Sequence, residues 1–153
     1  MKRRPTRAQL LARMPRAFRP KLASDQRLDL GLCHMQNLDA IATGTAERSM
    51  IWDYVGGVLT WYKVAQLLDV GLPEMTLQLE VATRLVERFG RTNRLLFDGP
   101  DLQLARLGVM VMDQLAEIVD RQTAITAADW SELEVNRIAA QANTYRSHEA
   151  QAA

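Results

Sequence analysis

Through five separate stretches of this 153-residue chain, apolar residues recur at alternating three- and four-residue steps. That is the repeat of a single helix face. Sustained period-two alternation with hairpin turn chemistry is missing, so strands are not expected. The stretches also share no repeated signature, which argues against a solenoid. Glycine or proline punctuates most of the gaps, and short gaps between long amphipathic helices favour antiparallel neighbours. The chain reads as all-α: a compact bundle of four to five amphipathic helices over residues 24–146, preceded by a basic arm over 1–23 and followed by a tail over 147–153 that is expected to fray.

The helices follow from the spacing. Ser24 suits an N-cap for a helix over 25–43, with Leu28, Gly31, Met35, Leu38 and Ala42 inward and Gly44 as the stop. A second helix is expected over 46–69. Two apolar stripes, one through Ile51, Val55 and Val58 and one through Tyr54 and Trp61, leave a narrow polar strip of Ser49, Asp53, Thr60 and Lys63. A helix that apolar belongs in the middle of the bundle. Pro73 opens a third helix that Gly90 ends, with Met75, Leu79, Ala82, Val86 and Phe89 inward. The loop over 91–99 contains Leu95, Leu96 and Phe97, which need cover. Pro100 opens a fourth helix, to about Asp120. The pair Thr126 and Asp129 has capping-box spacing and is expected to open the fifth, over 127–146, with Val135, Ile138, Ala142 and Tyr145 inward.

Charge is unevenly distributed. Lys2, Arg3, Arg4, Arg7, Arg13, Arg16, Arg19 and Lys21 precede the first acid, Asp25, so the first 24 residues carry +8. With a net charge of +1, the remainder carries 1 − 8 = −7. A basic arm, broken by Pro5, Pro15 and Pro20 and with room for one short helix over 6–13, thus precedes an acidic body. Leu10, Leu11, Met14 and Phe18 give the arm an apolar side. Arginine outnumbers lysine 16 to 3, which suggests a GC-rich bacterial coding sequence. No stretch reaches the roughly 18–20 apolar residues of a membrane span, so no membrane partner is expected. One cysteine, Cys33, permits no internal disulfide, and the cytoplasm is the expected compartment. The Arg-rich, acid-free start also imitates an organellar transit peptide.

Residues for chemistry are few. Cys33 and His34 are adjacent, hence about 100° apart on a helix, and only His148 joins them, so neither a metal nor a cofactor is expected. Cys33 reads as a small residue on a helix flank and His34 as a boundary residue. The Gly56-Gly57 pair inside the second helix costs roughly 1 kcal/mol per residue against alanine and needs a reason. Close approach of another helix is the plain one. A ligand niche formed with Asp53, Thr60 and Lys63 is the functional one. A helix-turn-helix across residues 64–85 fits poorly, because Glu74, Glu80 and Glu87 lie where phosphates would be read. Met110, on a polar strip, could mark a surface between subunits.

These features point to a non-enzymatic interaction or regulatory protein whose arm contacts nucleic acid or an acidic protein surface, since the arginine fork suits phosphate and carboxylate. The alternative is a structural subunit of a homo-oligomer or larger assembly, such as a phage or mobile-element particle, with the arm on a neighbouring acidic body. A small-molecule binder or enzyme using the Asp53/Thr60/Lys63 strip is the third.

Overall fold

A computed structural model describes residues 19–152, with side chains as far as residue 142. It is all-helical among these residues. The helices are α1 (Ser24–Thr43), α2 (Met50–Leu68), α3 (Leu72–Thr92), α4 (Gly99–Ile118) and α5 (Arg121–Ala152).

α2 is the hub. It packs on α5, α3, α1 and α4, while α4 also lies on α1 and on α3. The sequence requires this: Ile51, Tyr54, Val58, Val64 and Ala65 of α2 are fully buried, and Val55, Leu59 and Trp61 nearly so. The two inserted glycines serve two different neighbours. A Cβ on Gly56 would lie 3.5 Å from Val135 of α5, whereas one on Gly57 would lie 2.7 Å from Nδ1 of His34 on α1. The plain reading of the pair, close helix approach, is borne out at Gly57, while at Gly56 a Cβ would meet only ordinary van der Waals contact. Gly108 of α4 does the same for α3: a Cβ there would meet the buried Gln78 side chain at 2.3 Å.

Several boundaries differ from those expected, each for a local reason. α1 is preceded by Ala23, not Ser24; the Gln26 side chain accepts the Ala23 N–H at 3.1 Å. α2 begins at Met50, not 46, because the N–H groups of Thr45 and Ala46 are both committed to the Ala40 carbonyl, closing α1 beyond left-handed Gly44. α3 passes through Gly90 and stops at Asn93, which takes the left-handed conformation and donates its N–H to the Phe89 carbonyl. Asn is the side-chain-bearing residue that tolerates that conformation best. α5 begins at Arg121, ahead of the expected Thr126. Asp120 caps it by accepting the Thr123 N–H at 3.0 Å and hydroxyl at 2.6 Å, while Thr126 donates within the helix to the Gln122 carbonyl.

α1 faces the core with a different seam. Leu38 is buried as expected, but its buried companions are His34 and Ile41; Leu28 is 61% and Met35 50% exposed. His34 is therefore a core residue, not a boundary one. Its ring stacks on Tyr54 with centroids 5.3 Å apart, and Phe97 closes the other side of Tyr54 edge-on at 5.4 Å. The α3–α4 loop is covered accordingly, with Leu95 buried. An ionic clamp fixes the same corner: Arg84 donates to Asp101 at 2.8 and 3.0 Å, and Arg88 bridges Asp98 and Asp101.

The two glycines are expected to respond differently to alanine. Gly57→Ala must displace a ring already held by Tyr54, so it should destabilise the fold by about 1–3 kcal/mol. Gly56→Ala meets ordinary van der Waals contact and should be neutral, or stabilising by up to about 1 kcal/mol through helix propensity. Urea unfolding of both variants distinguishes them.

Candidate functional site

Helices α1 and α5 flank α2 and leave a trough whose floor is α2. Its near half, about 390 Å³, is lined by apolar Leu22, Leu30, Trp61, Val64 and Ile125, with Asp29 and Arg121 also in its lining. The far half, about 500 Å³, is polar. Gln36 and Asn37 of α1 line it on one side and Glu132 and Asn136 of α5 on the other, with Trp52, Asp53 and Gly56 from α2. Asp53 and Glu132 are exposed and have no ion-pair partner among the described residues.

The niche expected from the sequence is thus partly assembled and partly divided. Asp53 and Gly56 share the far half. Gly57 faces His34 instead. Thr60 lines the near half, with its hydroxyl 2.8 Å from the Gly56 carbonyl and 2.6 Å from the Ser131 hydroxyl. Lys63 donates to Gln66 at 2.8 Å and lies 5.0 Å over the Trp130 ring, so it does not pair with Asp53. The complement from α1 and α5 was missed by sequence reasoning. Its only local signal is the four-residue step from Cys33 to Asn37 and from Glu132 to Asn136, which puts each pair on one helix face.

Cys33 and His34 point to different surroundings, as adjacent helix residues must. Cys33 is exposed and lines the far half of the trough, not packed on a flank. His34 is buried, and among the described residues its Nδ1 has no hydrogen-bond partner, as is also true of the Tyr54 hydroxyl. Burial pushes the His34 imidazole down to about 4. The Tyr54 hydroxyl is pushed well above its ordinary value by burial and then by the Asp101 charge. Both rings are neutral at pH 7 and pack as apolar plates. No group of three or more His, Cys, Asp or Glu among the described residues could hold a metal ion.

Of the eight basic residues of the arm, Lys2, Arg3, Arg4, Arg7, Arg13 and Arg16 lie outside the described residues. The other two anchor the chain to the α4–α5 corner. Arg19 is 4.0 Å from Asp120, whose side chain is only 2% exposed. The Lys21 ammonium donates to the Ile118 carbonyl, the Arg121 N–H donates to the Pro20 carbonyl at 2.8 Å, and Leu22 enters the core. Burial raises the Asp120 carboxyl, but the Thr123 hydroxyl and N–H together with Arg19 outweigh it and hold the group below its usual range.

The buried imidazole gives a pH dependence with a definite sign. The folded chain resists protonating His34, so acid favours the unfolded chain; stability is full above pH 6.5 and is lost as pH falls from there towards 4. Between pH 7.5 and 5.0 the loss should be about 2 kcal/mol. Denaturant titrations of the parent and of His34→Phe at the two pH values check it, the variant losing that increment. Comparison of the chain with protein-family models, with curated proteins and with solved structures returned no match.

Proposed function

We propose that this is a non-enzymatic helical interaction protein whose bundle carries an arginine-rich N-terminal segment that contacts nucleic acid or an acidic protein surface. The observation that carries the reading is the division of labour among the eight cations. Arg19 and Lys21 are spent on holding the segment to Asp120 and Ile118. Residues 1–18 then contribute +6 with no acid, ahead of a remainder of 1 − 6 = −5. Six cations, five of them arginine, supply the planar donors that phosphate and carboxylate accept in pairs. The segment's single aromatic, Phe18, provides little for base stacking, so contacts to a duplex backbone suit it better than single-strand recognition.

A subunit role in a homo-oligomer is favoured by a separate observation. Leu28 and Met35 on α1 and Leu107 and Met110 on the adjoining α4 are each at least half exposed. Apolar residues left outward on two packed helices suit contact with a second copy. Light scattering across a concentration series should then give a mass above 17.3 kDa; a strict monomer at every concentration removes this second reading.

The primary test keeps the anchor. Lys2, Arg3, Arg4, Arg7, Arg13 and Arg16 are changed together to Gln, with Arg19 and Lys21 left in place, and binding of labelled duplex DNA and RNA is followed across a salt series. The parent should bind with log K falling against log salt at a slope between about −3 and −5, and the variant should lose that binding. If the parent binds neither duplex at any salt concentration of the series, the duplex reading fails and an acidic protein surface is left as the partner.

A further inference from the structure

The two halves of the trough match, in order along the chain, the segment that precedes the anchor. Leu22 lines the near half and is three residues from Arg19, where the described chain begins. The residues just before Arg19 interleave the apolar Phe18, Met14, Leu11 and Leu10 with Arg16 and Arg13; those farther out carry Arg7, Arg4, Arg3 and Lys2 and no large apolar side chain but Met1. The trough changes in the same order, mainly apolar beside Leu22 but edged there by Asp29 and Arg121, then acidic and amide-rich around Asp53 and Glu132.

Length permits the match. Glu132 is twelve residues along α5 from Asp120, or about 18 Å at the helical rise. Six extended residues span about 20 Å, so Arg13 and every cation before it can reach the far half from the anchor. The chemistry is also complementary. Asp53 and Glu132 offer unpaired carboxylates; Gln36, Asn37 and Asn136 offer amide oxygens; and Trp52 offers an indole on which a guanidinium can stack. Because the segment is tethered at Arg19, its local concentration at the trough is that of an intramolecular ligand.

We infer that the trough between α1 and α5 is the docking site of this chain's own N-terminal segment, residues 1–18, with its apolar residues in the half beside Leu22 and its outer arginines against Asp53 and Glu132. The site is then a guanidinium-binding surface that draws on the same side chains an external phosphate or carboxylate would use. Docking and partner binding compete for them. The inference does not depend on which external partner the segment takes.

Cys33, the only cysteine of the chain, lines the far half and serves as a trap. In full-length Thr6→Cys, which keeps every charge, mild oxidation should join the introduced thiol to Cys33 within one chain, seen as a monomer on non-reducing gels and as one cross-linked peptide by mass spectrometry. The same substitution combined with Asp53→Asn and Glu132→Gln, both at exposed positions, should cross-link about fivefold more slowly or less, and added salt should slow the first protein towards the second. Circular dichroism establishes that both are folded. Equal rates in the two proteins overturn the inference, because chance collision needs no carboxylates. A product that is a disulfide-linked dimer overturns the assignment of the occupant to the same chain. No nucleic acid is present, so the result is separate from that of the duplex-binding test.

Discussion

Four helices must reach one: α2 touches α1, α3, α4 and α5. The tightest of these contacts, with α1, is possible because Gly57 carries no side chain. Gly57 lets the His34 ring lie against the α2 backbone, whereas at Gly56 α5 packs through Val135 at ordinary van der Waals distance. From the first contact follows the stack of His34 on Tyr54 and the edge contact of Phe97, which ties the α3–α4 loop to the same point. From the second follows the short Thr60–Ser131 hydrogen bond, one turn further along α2. With α1 and α5 both drawn onto α2 but held on different sides of it, the trough between them is a consequence of the packing.

The charge organisation meets this packing at the α4–α5 corner. Asp120 has three roles there: it caps α5, it receives Arg19, and it lies opposite Lys21 in an isolated bridge. The chain ahead of Arg19 thereby starts from a fixed point beside the near half of the trough. On the docking proposed for residues 1–18, a phosphate-bearing or carboxylate-bearing partner would compete with Asp53 and Glu132 for the same arginines, and its binding would vary with salt.

Much of the bundle is legible in the sequence because its helices are separated by glycine, proline or a cap of recognisable chemistry, and because α2 is too apolar to lie anywhere but the centre. The failures are equally physical. Asp120 and Asn93 moved two boundaries, since capping is decided by which side chain finds the orphan N–H or carbonyl, and spacing alone does not show that. The inward seam of α1 was misread because counting apolar residues favours Leu28 and Met35 over His34, yet a neutral imidazole stacked on tyrosine is a core residue. For the site, Asp53 and Gly56 are visible as part of one polar strip. Thr60 and Lys63 leave that strip because α5 supplies Ser131 and Trp130 to receive them. Gln36, Asn37, Glu132 and Asn136 join it only through the lateral placement of α1 and α5 on α2, which no local pattern encodes.

Residue-resolved hydrogen exchange under native conditions tests the central role of α2 most directly. The account predicts that the amides of Val55, Val58, Leu59 and Val64 exchange only through global unfolding, with protection equal to the stability measured by denaturant, and that α1 and α5 open locally at lower free energy. Exchange of those α2 amides faster than those of α1 or α5 would contradict it, because a helix that all the others pack against cannot open before they do.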